Sequence, residues 1–307
     1  MTRAVVFGYH SVGVRCLKVL LSQGIEIALV VTHDNAPGET IWFDSVAAVA
    51  AEHGVPAIRP VDPNAADIVS RVAAAVPDFI FSFYYRQMLK APMLALASRG
   101  SLNMHGSLLP KYRGRVPVNW AIIHGETETG ATLHYMTAKP DAGDIVAQTA
   151  VPILGDDTAG EVFNKVTVAA EMTLYRVLPA LVAGNAQRIP QRPGSGSYFS
   201  GRKPEDGVID WMDSAATIHN LVRAVAPPYP GSSTVIDGSP ARILRTRVID
   251  PAARAASPTL AIECERLVAH CGGGGTLAIL TLEIAGRAVD PLALASRLPQ
   301  ALPLPSR

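Results

Sequence analysis

The sequence predicts an α/β protein. A Rossmann-like, doubly wound and mostly parallel sheet forms the N-terminal domain, and a smaller β-rich, OB-like domain follows it. Three observations carry this. Short apolar runs alternate with stretches of helical spacing in the first half, the rhythm of βαβ units. Glycine stands where the helical stretches stop. Beyond residue 203 a single helical stretch gives way to short β-like segments separated by turn residues.

Taken in order, "AVVFGY" reads as a buried strand and "VGVRCLKVLLSQG" as a helix that stops at Gly24. "IEIALVVTH" is a second strand, and "FDSVAAVAAEHG" a second helix ended by Gly54. A helical stretch near Ala65 to Val76 leads into the strand "DFIFSFYY", and "SLNMH" is a further short strand. "PVNWAIIHG" is a helix with Pro117 near its start, where a missing N–H costs nothing. "TGATLHYMT" and "DIVAQTAVPI" read as strands, and "AGEVFNKVTVAAEMTLYRVLPALVAG" as a long amphipathic helix. The Gly/Ser/Pro stretch "RPGSGSYFSGRKPEDG" reads as a linker, which places the domains at 1–203 and 204–307. After it come the helix "SAATIHNLVRAVA" and the segments "STVIDGSPARILRTRVI" and "TLAIECERLVAHCGGGGTLAILTLEI". "CGGGG" reads as a hairpin turn, since no P-loop Lys-Ser/Thr and no helix follows it. "FGYHSVG" lacks the GxGxxG spacing and reads as an ordinary turn into the first helix.

Composition limits the function classes. Of 307 residues, 49% are hydrophobic and 17% charged, which fits a buried core and argues against disorder. The formal net charge of +1 lacks the basic excess of a nucleic-acid binder, so no nucleic-acid partner is expected. Cys16, Cys264 and Cys271 are odd in number and form no CxxC, which argues against a disulfide framework and a zinc site and fits a reducing cytoplasm. The opening "MTRAVVFGYH" lacks the apolar core of a signal peptide, and no run of about 18 apolar residues occurs, so no membrane insertion is expected.

The candidate site lies in "SLNMHGSLLPKYRGRVP", residues 101–117. Asn103 and His105 are two apart, so an extended backbone puts both side chains on one face. An imidazole can move a proton near neutral pH, and an amide can donate to an oxygen that gains charge. A carboxylate must still orient the ring. "KPDAGDIVAQ" offers Asp141 and Asp144, and spacing leaves both open. Lys111, Arg113 and Arg115 read as binders of carboxylate or phosphate, or as solvated cations.

The stretch "SLNMHGSLLPKYRGRVPVNWAIIHGETETGATLHYMTAKPDAGDIVAQ" resembles the signature region of the 10-formyltetrahydrofolate-dependent formyltransferases, a family that includes methionyl-tRNA and sugar-nucleotide N-formyltransferases. "VVFGYHSVG", "VTHDNAPGE", "DFIFSFYYR" and "IHNLVRAVAPPYPG" extend the likeness over nearly the whole chain. The resemblance implies that His105 is the catalytic histidine, that Asn103 stabilises the transition state and that Asp141, rather than Asp144, tunes the histidine. It implies 10-formyltetrahydrofolate as co-substrate and no metal. It assigns Arg115, with Gln87, Met88 and Leu89, to the folate pocket. Thr137, Ala138, Lys139 and Pro140 match the loop that closes over that pocket.

The likeness is strongest to the branch that formylates UDP-4-amino-4-deoxy-L-arabinose in lipid A modification, which implies a sugar-nucleotide substrate. The tRNA enzymes resemble one another in a basic insertion after the second strand. Here Val31 to Ser45 holds no Lys or Arg, and it contains Asp34, Glu39 and Asp44. Methionyl-tRNA formylation, a non-catalytic folate-binding module and hydrolysis of formyl-folate stand as alternatives. Members of the sugar branch often carry a second domain that oxidatively decarboxylates UDP-glucuronate; the resemblance leaves two alternatives, a separate UDP-glucuronate decarboxylase as partner or a chain that is part of a longer protein.

Overall fold

The structure, a computed structural model, describes the chain except for Pro37, Glu39, Pro193, residues 296–300 and residues 306–307. Glu39, one of the acidic residues of Val31 to Ser45, therefore lies outside the described residues, as does Pro193 of the presumed linker. Contacts divide the chain into two units. The first comprises Met1–Pro117, Glu128–Pro152 and Asn164–Ser200. The second comprises Val118–Thr127, Ile153–Phe163 and Gly201–Arg307.

In the first unit the apolar runs become strands because burial on both faces favours uninterrupted apolar sequence. They are β1 (Arg3–Gly8), β2 (Glu26–Val31), β3 (Ala57–Ile58), β4 (Phe79–Phe83) and β5 (Gly100–His105). Helices α1 (His10–Ser22), α2 (Val46–Glu52), α3 (Ala66–Ala74) and α4 (Ala91–Leu94) fall between them. Two longer strands, β7 (Glu128–Tyr135) and β8 (Ile145–Pro152), complete the sheet, and a small pair, β6 (Arg113–Gly114) and β9 (Tyr198–Phe199), stands apart. The strand order is β3-β2-β1-β4-β5-β7-β8. The first five are parallel, whereas β5–β7 and β7–β8 are antiparallel. Strand order reverses between β1 and β4, so the carboxyl ends of those strands border the crevice where such sheets bind ligands.

Val5, Phe7, Leu29, Val31, Ile80, Leu89 and Met93 build one core cluster of this unit. Gly13 lets α1 close on its neighbours, since a Cβ there would lie 2.9 Å from Val46 Cγ2 and 3.3 Å from the Gly8 carbonyl carbon. Two features depart from the sequence expectation. The two-residue strand β3 is too short to stand out as an apolar run. The presumed linker is not a spacer, because β9 pairs in parallel with β6. Gly196 in that stretch serves close packing: at φ 84° its Cβ position would fall 1.9 Å from the Pro110 carbonyl oxygen.

Helix α6 (Ala159–Ala183) is the one helix, among the described residues, long and apolar enough to cross a membrane by length and composition. Its Val162, Val166, Ala170, Leu174, Leu178 and Leu181 are buried in the protein, the pattern of a core helix.

The second unit holds α5 (Pro117–Ile123) from its second residue on, and α7 (Ala215–Val225), which Ser214 caps by accepting the Thr217 N–H. An antiparallel sheet follows in the order β10-β11-β14-β13-β12-β16, with β15 beside β14. Its strands are β10 (Ser232–Ile236), β11 (Ser239–Asp250), β12 (Thr259–Glu263), β13 (Arg266–His270), β14 (Thr276–Ile284), β15 (Arg287–Val289) and β16 (Ala301–Pro303); α8 (Pro291–Ala295) precedes the last. The "CGGGG" run connects the antiparallel neighbours β13 and β14, as a hairpin turn must. Cys16 and Cys271 are buried free thiols and Cys264 is exposed.

Trp211 anchors this unit. It is fully buried beside Ile218 and Val222 of α7 and Ile243 and Leu277 of the sheet, and its Nε1–H donates to Thr234 Oγ1 at 2.8 Å. Trp211→Ala would open a cavity and leave Thr234 without this donor. It should cost about 3–5 kcal/mol, read as faster amide hydrogen exchange through β10, β11 and β14, while the exchange of β1 and β4 stays as it was.

Candidate active site

The antiparallel turn of the sheet builds the site. Register sets Asn103 of β5 opposite His134 of β7, and His105 opposite Thr132. Cross-strand partners share a face, so two polar pairs line one side of the sheet. Thr132 fixes the chain after His105: its hydroxyl donates to the Ser107 carbonyl at 2.6 Å and accepts from the Leu109 N–H and from Gln148 Nε2.

Asp141 enters this face from the turn between β7 and β8. Its Oδ1 lies 3.7 Å from His105 Nδ1, 3.5 Å from His134 Nε2 and 3.5 Å from Asn103 Nδ2. Its Oδ2 accepts the Gly114 N–H at 2.9 Å. Burial alone would raise the pKa of this carboxyl. The neighbouring His105, with the Gly114 N–H, outweighs burial and holds it well below the usual carboxylate range. Asp144 points elsewhere and pairs with Arg188 at 3.4 Å. Geometry thus brings Asn103, His105 and Asp141 together and leaves Asp144 out.

His105 is buried, and both ring nitrogens are engaged. Nε2 donates to the Tyr112 carbonyl at 2.8 Å, while Nδ1 faces the carboxylate. Any substrate proton that reaches Nε2 must displace this carbonyl.

No motif marks the clasp behind the turn. Gln191 Nε2 donates to the carbonyls of Asp141 (2.9 Å) and Gly143 (2.8 Å), and its Oε1 accepts from Arg113 Nη2 at 2.7 Å. Arg113 also donates to the Asp141 and Ser195 carbonyls. Arg113 is therefore a structural cation and not an anion binder, because carbonyl and amide oxygens already surround its guanidinium. The clasp supports Asp141 at φ 49°, a conformation few non-glycine residues adopt. On the strand side, β9 takes the Arg115 N–H through the Phe199 carbonyl, and Ser197 accepts the N–H groups of Arg113 and Tyr112.

The residues assigned to folate occupy two loops that border one apolar cluster: Leu89 belongs to it, and Met136, next to Thr137, packs against it. Leu89 is itself buried in the core. Gln87 donates to the Val61 carbonyl at 2.8 Å, and the exposed Met88 offers its carbonyl to Asn64 Nδ2 at 2.9 Å. Thr137 donates to the Lys139 carbonyl at 2.9 Å and shapes the turn; Thr137, Ala138, Lys139 and Arg115 are exposed, and Pro140 is half-buried.

Near the strand-order reversal the walls are aromatic. Tyr9 packs edge-on against His33 and Phe43, His10 stacks on Phe43 at 3.9 Å, and His33 stacks on Tyr85 at 4.0 Å. Among the described residues no group of three His, Cys, Asp or Glu side chains could hold a metal ion.

Two residues escaped the sequence reasoning. His134 had a signal, since "TLHY" alternates Thr132 and His134 with apolar Leu133, which puts both polar residues on one face. Gln191 had none, because its partners are backbone carbonyls about 50 residues away.

Residues 2–178 match the formyl transferase family model, and residues 202–297 match that of the formyl transferase C-terminal domain. The chain belongs to the formyl transferase family. Its activity is accordingly formyl transfer. Among solved structures it is similar to the N-formyltransferase from Helicobacter canadensis in complex with folinic acid and dTDP-3-aminofucose, at 20% identity and TM-score 0.70 over 91% of this chain and 99% of that one. It is similar to WlaRD, a sugar 3N-formyl transferase determined with dTDP and 5-N-formyl-THF, at 21% identity and TM-score 0.70 over 94% and 99%. HypX from Aquifex aeolicus, in complex with tetrahydrofolic acid, matches at 19% identity and TM-score 0.63, over 95% of this chain and 46% of that one.

The depressed Asp141 pKa has a signed consequence. A carboxyl that ionises more readily in the folded state stabilises the fold above its unfolded pKa, near 3.8, and loses this as pH falls towards the folded value. The stability gap between the native protein and Asp141→Asn should therefore be full at pH 5 and shrink below about pH 4 in urea titrations. Gly114→Ala should damage the site from the backbone side. At φ 95° its Cβ would lie 2.2 Å from the Phe199 carbonyl oxygen, so β6 must separate from β9 and withdraw the N–H that holds Asp141. Formyl transfer should drop with the sheet intact, read as lost turnover with unchanged far-UV circular dichroism.

Proposed function

We propose that the protein transfers the formyl group of 10-formyltetrahydrofolate to the amine of a nucleotide-linked 4-amino sugar, UDP-4-amino-4-deoxy-L-arabinose. The observation that carries the chemistry is the Asp141 carboxylate set among His105, His134 and Asn103, out of reach of Asp144. The amine nitrogen attacks the formyl carbon, and the carbonyl oxygen becomes an oxyanion. Asn103 donates an N–H to that oxygen. In the tautomer whose proton sits on Nδ1, towards Asp141, His105 Nε2 leaves the Tyr112 carbonyl, takes the proton that the amine loses and passes it to N10 of the folate as the C–N10 bond breaks. Asp141 balances the imidazolium during that step. Tetrahydrofolate and the formamide leave.

The folate lies against the Gln87–Leu89 and Thr137–Pro140 loops. Arg115, exposed, is placed to meet a carboxylate of its glutamate tail. For the acceptor, the support comes from three directions. The likeness to sugar-nucleotide enzymes is the first. The aromatic walls at the strand-order reversal, onto which a pyrimidine can stack, are the second. The third is Val31 to Ser45, which offers no cation to a tRNA phosphate.

The test offers the purified protein 10-formyltetrahydrofolate with UDP-4-amino-4-deoxy-L-arabinose, a dTDP-3-amino sugar or initiator methionyl-tRNA, at low and moderate salt. The UDP sugar should be turned over with weak salt dependence, and His105→Ala should slow it on the order of 10²–10⁴-fold. Turnover of the dTDP sugar alone would move the acceptor assignment within the sugar class. Efficient tRNA formylation, falling steeply with salt, would overturn it.

A further inference from the structure

The Asn103 amide is useful to an oxyanion in only one of its two orientations. With Nδ2 towards the reacting carbon it donates an N–H; flipped, it presents Oδ1 and repels the developing charge. Asp141 alone is a weak hold on that choice, since 3.5 Å is at the limit of a hydrogen bond.

His134 supplies the stronger one. Its Nδ1 lies 2.9 Å from the Tyr135 carbonyl oxygen. A carbonyl only accepts, so Nδ1 carries the proton, and the neutral ring has its lone pair on Nε2. That nitrogen is 3.2 Å from Asn103 Nδ2. Both Nε2 and the Asp141 carboxylate are then acceptors, and both draw the same end of the amide. These two acceptors lie on one side of Nδ2, so the other N–H is left to meet the formyl oxygen once charge builds there. The ring itself is 1% exposed and directly opposite Asn103 in the β5–β7 register, too deep to meet substrate.

We propose that His134 is a positioning residue for formyl transfer: through the relay Tyr135 carbonyl, His134, Asn103 it fixes the amide in its oxyanion-donating orientation. This rests on the role of Asn103 in the transfer described above, but not on which amine is the acceptor.

A histidine that merely fills the core would lower stability without a selective effect on the chemical step. The variants separate the two. In His134→Leu, kcat should fall on the order of 10–10²-fold, short of the cost of deleting an oxyanion donor outright, with KM for the formyl donor unchanged. His134→Gln, whose Oε1 can accept the Asn103 N–H, should restore most of the rate. His134→Asn, too short to reach, should stay slow, and it takes the place of the Leu variant if that does not fold. In an Asn103→Ala background the His134 substitution should cost nothing further, because the residue acts through Asn103.

An acceptor-free arm uses the Asn103 side-chain amide signal in NMR, assigned by its loss in Asn103→Ala. Its two protons should be widely split in the native protein and converge in His134→Leu. An amide signal indifferent to His134, or a His134 cost equal in both Asn103 backgrounds, would overturn the proposal. Failure of every offered acceptor would bear on the proposed function instead, with the NMR arm still deciding this one.

Discussion

The site depends on one buried negative charge. The Asp141 carboxylate is partly shielded from water, which by itself would favour its neutral form. It stays ionised because His105 faces Oδ1 and a backbone N–H meets Oδ2. Partners are in turn placed by the charge: His105 and Asn103 face a common acceptor, and the β6 backbone has an anchor. Removing the charge would leave His105 and Asn103 without their common partner, and a clasp of Gln191 and Arg113 holds the aspartate there at a positive φ.

The sheet makes this convergence possible through a change of direction. A wholly parallel sheet would place β7 in a ladder whose residues are offset from those of β5. Because β7 runs antiparallel, Asn103 meets His134 directly and His105 meets Thr132. The parallel half supplies the crevice at the β1–β4 reversal, and the antiparallel half supplies the polar face beside it. Both lie in the unit formed by the N-terminal segments, and the second unit has a core of its own around Trp211.

Much of this was legible in the sequence, for physical reasons that differ by residue. Strands such as "AVVFGY" and "DFIFSFYY" announce themselves because both faces are buried, so apolar residues dominate them, with Ser82 the one hydroxyl residue of β4. Asn103 and His105 are legible because a two-residue spacing in a strand has one geometric meaning. Asp141 against Asp144 was not decidable from spacing, since both sit in the same turn; the distances to His105 and Arg188 separate them. Arg113 looked like a ligand-binding cation because the sequence shows its charge and hides the carbonyls around it. The 192–207 stretch looked like a linker because Gly and Ser mark both flexible chain and chain that must pass close to another backbone. Gly196 is the second kind.

That close passage bears on how the active site comes into being during synthesis. Asn103, His105 and Asp141 have all left the ribosome long before Gln191, and the matched N-terminal family region itself ends at residue 178. A nascent chain that has completed the large sheet still lacks Gln191, Ser197 and Phe199, the groups that hold the Asp141 turn and the loop after His105. The catalytic side chains therefore exist before their geometry does. The shortest stretch of this chain that contains a seated site is bounded not by the last residue of chemical interest but by β9.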